Sequence, residues 1–152
     1  MTVVDGMLAG AAGTLALDTV TYADIAVRGR PVSHTPQESV QRLTDRAHLS
    51  LGSGAQATNR RDGLGPLLGY GVGLGTAVAF AVLAERRRLP AVAATGLLAA
   101  TAMIGTSLPM ALLGVSDPRR WSRTDWLSDI VPHLAYGAVT VLALRRLRAG
   151  RR

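Results

Sequence analysis

The amino-acid sequence predicts an all-α fold: a bundle of four transmembrane helices with a short amphipathic surface helix in the first loop. Three observations carry that expectation. The 152 residues are 48% apolar, yet they hold 17 arginines and 10 acids, with a positive mean hydropathy of +0.23. Charge and apolar residues are therefore segregated along the chain, as in membrane proteins. Four apolar runs each approach the roughly 20 residues needed to cross the hydrocarbon of a bilayer. The middle two contain no charged residue and no polar stripe, which a soluble core helix of that length would show. One integral membrane domain over residues 1–152 follows, with spans at about 6–27, 64–84, 89–115 and 127–144.

Composition excludes several classes. There is no cysteine, hence no disulfide framework and no thiolate metal site. Every basic residue is arginine, and the net charge is +7. The arginines cluster at the edges of apolar runs instead of forming one face, which argues against a nucleic-acid partner.

The first span begins without a basic leader, and Asp5 stands where a signal peptide would carry positive charge, so a retained helix is expected. In the loop at 28–63, Thr35-Pro36-Gln37-Glu38 has the pattern of a capping box with proline at the first helical position. Val40, Leu43 and Ala47 follow at helical spacing, and Glu38 can pair with Arg42 at i, i+4. A short helix on the membrane surface or across the mouth of the bundle is expected, either a lid or a connector resting on lipid. Gly52 to Gly65, with Ser53, Asn59 and Asp62, reads as flexible linker. His34 and His48 read as ordinary solvated side chains.

The second span opens on a glycine series in which Gly65, Gly69, Gly71, Gly73 and Gly75 form overlapping GxxxG pairs. Gly6 and Gly10 repeat the spacing in the first span. In lipid, glycine lets helix backbones approach closely. Tight packing is the simpler reading and a glycine-lined path for a small solute the other; no nucleotide fingerprint is present. The third span carries Pro109 near its end, after Thr106 and Ser107.

Asp18 is the acid that lies deep in a span, where a bare carboxylate costs roughly 2.5–3.5 kcal/mol. It should face the interior with a partner or be protonated. Asp24, near the end of the same span, can pair with Arg28. In the fourth span Asp125, Asp129 and His133 fall at i, i+4 and i+8, and Tyr136 follows three residues later. At ~1.5 Å per residue, His133 lies roughly 9 Å below Leu127 and Asp18 roughly 13 Å below Val27, at the same end of the bundle. With the first and fourth helices adjacent, Asp18, His133, Tyr136 and Asp129 form a candidate buried polar cluster. Pro132 either kinks the helix by removing the bond to the Ser128 carbonyl or marks where the regular helix begins. Three chemistries fit such a cluster. They are proton or ion handling by Asp18 and His133, an incomplete divalent-metal site at Asp129 and His133 with Asp125, and interhelical hydrogen bonding that fixes the bundle. No nucleophile–base pair or phosphate cradle is recognisable, so no enzyme activity, cofactor or resident metal is expected.

Trp121 and Trp126 flank the fourth span as interfacial anchors, and Arg145 to Arg152 read as a cytoplasmic stop that contacts anionic lipid headgroups. Arginine density close to the helix ends, in Arg86-Arg87-Arg88 and in the tail, places both termini in the cytoplasm.

The segments Gly10 to Asp18, Thr35 to Glu38 and Pro132-His133-Leu134-Ala135-Tyr136-Gly137 resemble small four-helix integral membrane proteins of high-GC bacteria, more distantly the YagU-like inner-membrane family. That resemblance implies the four-helix topology and a multi-pass location in the bacterial plasma membrane. It assigns no activity to Asp18, His133 or Tyr136. The functional expectation is a small membrane protein that handles a proton or ion at the polar cluster. The alternative is an accessory subunit whose glycine faces pack against a larger membrane complex or a second copy.

Overall fold

The computed structural model describes residues 2–83 and 89–150. It is all-helical: α1 (Val3–Arg28), α2 (Thr35–Arg46), α3 (Gly54–Leu83), α4 (Ala91–Leu112) and α5 (Arg123–Ala149), with a 3-10 turn at Pro118–Arg120 before α5. No strand occurs among the described residues. α1, α3, α4 and α5 are each long and apolar enough to cross a membrane. α1 packs on both α3 and α5, α5 also packs on α4, and a lighter α3–α4 contact closes a ring of four helices. α2 packs on α3.

Local chemistry explains the helix boundaries. Thr2 and Asp5 form a reciprocal capping box at the start of α1: the Asp5 N–H donates to Thr2 Oγ1, and the Thr2 N–H donates to Asp5 Oδ2 at 2.7 Å. Ser122 and Asp125 do the same for α5. α1 ends in Gly29, whose φ of +61° is the left-handed conformation that terminates helices. Asp117 accepts from the Arg119 backbone and guanidinium at the 3-10 turn, which holds its carboxyl below the usual range.

Several boundaries correct the sequence reading. The segment expected as linker from Gly52 to Gly65 is helical from Gly54 onward, so α3 runs for 30 residues. At ~1.5 Å per residue that is about 45 Å, well beyond the ~30 Å of hydrocarbon, and its first ten residues are the polar, arginine-bearing part. α4 ends at Leu112 instead of running to 115. The capping box expected at Thr35 and Glu38 does not form: Thr35 is already inside α2, the His34 N-cap side chain makes no bond, and the Thr35 N–H donates to Ser33 Oγ at 3.3 Å. Glu38 and Arg42 form no ion pair, although both line one pocket beside α3. α5 passes through Pro132 without a break, so the regular helix begins well before it. The arginine turn at 85–88, residue 84 and the last two arginines lie outside the described residues.

The interior is made of small side chains. Ala9, Ala81 and Leu144 pack together at one level, and Ala94, Leu98, Ala102, Tyr136 and Val141 at another. Large apolar side chains point outward on every long helix, Leu15, Leu67, Ile104 and Leu142 among them. A small-residue interior inside an apolar exterior is what lipid, not water, stabilises. The chain is a multi-pass membrane protein by this criterion.

Candidate functional site

Glycine placement brings three helices to one point. A Cβ on Gly13 of α1 would strike Thr140 Oγ1 of α5 and lie 2.9 Å from the Tyr136 ring. A Cβ on Gly73 of α3 would strike Thr14 Oγ1 of α1. The absent side chains let α1 settle against α3 and α5, and the Tyr136 hydroxyl reaches across to donate to the Gly73 carbonyl at 2.6 Å. Tyr136 is 1% exposed. This layer of Gly13, Thr14, Gly73, Tyr136 and Thr140 is the polar centre of the bundle. Thr14 and Thr140 carry no sequence signal of their own; the Gly10-x-x-Gly13 spacing beside Thr14 was the available hint.

Toward the long-loop end, α5 presents His133, buried with 6% exposure. Its Nδ1 lies 2.7 Å from the Asp129 carbonyl oxygen and 3.4 Å from Asp129 Oδ1. A carbonyl can only accept, so Nδ1 carries the proton and Nε2 holds the lone pair of the neutral ring. Asp129 Oδ2 is buried without a hydrogen-bond partner. The i, i+4 spacing on a continuous helix produces this pair, and Pro132 lies buried on the same stretch.

Asp18 lies one turn beyond Thr14 on α1 and is partly buried. No hydrogen bond or ion pair joins it to His133, Tyr136 or Asp129 among the described residues. The predicted residues thus divide into the Asp129–His133 pair and the Tyr136–Gly73 link, with Asp18 on a neighbouring helix. The adjacency of α1 and α5 that the expectation needed is present.

Nearer the loops, Asp24 accepts from Arg28 at 2.6 Å and from Arg30 at 2.7 Å. Arg28 also donates to Ser128 of α5 at 2.5 Å, a link between α1 and α5 that sequence spacing could not reveal. Asp125 is engaged with Ser122 in the capping box that starts α5. No group of three or more His, Asp or Glu side chains with metal-binding geometry occurs among the described residues. Trp121 and Trp126 meet edge to face with centroids 5.1 Å apart, and Trp121 Nε1 donates to Ser116 Oγ at 3.0 Å.

The predicted glycine stripe of α3 separates into two faces. Gly73 meets Thr14, and Gly65 meets Pro36 and Gln37 of α2, where an added Cβ would lie 3.1–3.2 Å away. Around Gly69, Gly71 and Gly75 nothing lies within 4 Å. These three glycines lie on the outer face of α3, away from the other helices of the bundle. α3 turns only one strip toward α1, and a helix has room for one such strip per neighbour.

Below the Tyr136 layer the buried carboxylate is Asp5, engaged in the cap of α1. Beyond that layer, Ala9, Ala81 and Leu144, with Phe80 against them, close the bundle with apolar contacts. The Asp129–His133 pair and the Tyr136–Gly73 link thus lie toward the long-loop end, and the small-residue cluster lies toward the other end. No family model, curated protein or solved structure matches this chain.

Proposed function

We propose that this chain is a small non-enzymatic protein of the bacterial plasma membrane that takes up and releases a proton at the Asp129–His133 pair of α5. One observation carries the reading: a buried imidazole in a membrane-length helix, its Nδ1–H committed to a carbonyl, with a carboxylate 3.4 Å away. Ionisable side chains at such depth mark proton or ion chemistry more often than packing alone requires. Histidine changes charge in the physiological range. A proton on Nε2 would be balanced by Asp129, and Asp18 and the Asp24–Arg28–Arg30 group are the other charged side chains that α1 brings to this half. α4, the second helix packed on α5, contributes no charged residue. The resemblance to small membrane proteins of high-GC bacteria supports the location. Arginine density supports termini in the cytoplasm, with α2 at the opposite membrane surface.

The test is proton exchange by the protein in lipid, measured by potentiometry on the wild type and on the His133→Gln and Asp129→Asn variants. Each variant is expected to exchange fewer protons than the wild type. Identical exchange in the wild type and a folded His133→Gln variant overturns the proposal.

A second reading, an accessory subunit of a larger membrane assembly, is favoured by the outward position of Gly71 and Gly75. A small-xxx-small strip that its own bundle leaves uncovered fits a helix of another protein or a second copy.

A further inference from the structure

Between α2 and the first turns of α3 lies a half-open pocket of about 450 Å³. Its lining includes two guanidiniums, Arg42 and Arg61, and two carboxylates, Glu38 and Asp62, together with Gln37. Arg61 is positioned by donating to Gln41 Oε1 at 3.3 Å and to Thr58 Oγ1 at 3.1 Å. Among the described residues, none of the four charged groups enters an ion pair. Gln37 Oε1 is buried and accepts no hydrogen bond.

Two cations and two anions that share a cavity without pairing present two unlike subsites. A simple anion bound here would sit beside two carboxylates, and a simple cation beside two guanidiniums; either leaves half the lining opposed. A ligand bearing both signs engages all four. The position of the cavity narrows the choice. α3 becomes continuously apolar from Leu64, two residues past Asp62, so the cavity stands at the depth where a phospholipid places its headgroup.

We propose that this cavity binds the headgroup of a zwitterionic phospholipid with a primary ammonium. The phosphate lies against Arg42 and Arg61, since guanidinium forks match phosphate oxygens. The ammonium donates to Glu38, Asp62 and the unused Gln37 oxygen, which a quaternary ammonium has no hydrogens to do. The site is separate from the α5 pair and stands or falls without it.

Native mass spectrometry of the full chain in a non-ionic detergent, offered equal amounts of phosphatidylethanolamine, phosphatidylcholine and phosphatidylglycerol, tests the assignment. Preferential retention of phosphatidylethanolamine is expected. Arg42→Gln should weaken it about tenfold, the scale of one charge-assisted contact. Glu38→Gln with Asp62→Asn should turn the preference toward phosphatidylglycerol. These side chains stand on polar, accessible surface, and circular dichroism checks each variant's fold; if a variant fails to fold, the wild-type ranking still decides. Soluble glycerophosphoethanolamine separates the sources. If it displaces the lipid, the headgroup chemistry alone is recognised; if only intact lipid binds, the acyl chains contribute, and both results support the site. Equal retention of the three lipids, preference for phosphatidylglycerol in the wild type, or retention unchanged in a folded Arg42→Gln variant overturns it.

Discussion

At Gly137 an added Cβ would lie 2.5 Å from the Thr95 carbonyl oxygen and 3.2 Å from the Ala99 nitrogen, both backbone atoms of α4. Backbone cannot rotate away as a side chain can, so Gly137→Ala must push α4 from α5. A destabilisation of about 1–3 kcal/mol is expected, measured by unfolding in mixed detergent micelles. Gly71→Ala meets nothing and replaces a poor helix former with the best one, a gain of up to about 1 kcal/mol where the helix faces lipid. Equal stability of the two variants would show that α4 and α5 do not approach as closely as Thr95 and Gly137 imply. Single residues also show the limits of sequence reading. Asp18, His133 and Tyr136 could be singled out because polar groups in apolar runs are conspicuous. Their partners could not. Tyr136 bonds a carbonyl 63 positions away, and every residue carries a carbonyl, so no residue type announces that partner.

α3 illustrates the same contrast one level up. Its apolar portion was legible from length and composition, but its first ten residues read as linker because glycine, asparagine and aspartate favour turns in isolation. Once the following twenty residues are helical, each added turn costs little, since nucleation is already complete. Glycine spacing likewise announced a packing stripe without saying which side of the helix would be used. Gly69 and Gly73 satisfy the same GxxxG rule, yet Gly73 touches Thr14 and Gly69 touches nothing. The outer face is where the accessory-subunit reading becomes testable. Purification from the native host in mild detergent should recover a stoichiometric membrane partner or a second copy. Gly71→Leu with Gly75→Leu should release it by blocking close approach, while the helical content of the chain stays unchanged. Recovery of the wild type as a lone monomer would sink that reading.

For the bundle as a whole, the number of spans and the location of charge follow from solvent physics alone. Backbone groups in hydrocarbon must bond within their own helix, so length and hydropathy identify spans with little ambiguity. The order of packing around the ring, α1 between α3 and α5 with α4 opposite, depends on which small residues meet, and four apolar helices can be arranged in more than one way. Orientation depends on a third kind of information, the asymmetry of arginines, and here it is finely balanced. Arg86 to Arg88 and the tail favour one side, but Arg60 and Arg61 on the polar extension of α3, with Arg28 and Arg30 closing α1, weigh on the other. The latter group is partly neutralised: Arg28 and Arg30 both pair with Asp24, and Asp62 adjoins Arg61. Since acids count for little in the positive-inside rule, this neutralisation does not by itself decide the topology, and direct labelling does. The chain lacks cysteine, so single cysteines report without background. Ser50→Cys in the exposed turn before α3 is expected to react with a membrane-impermeant maleimide on intact cells. Ala149→Cys at the end of α5 is expected to react only after permeabilisation. The reverse pattern would invert the protein in the membrane and place the Asp129–His133 pair in reach of the cytoplasm instead of the outer face.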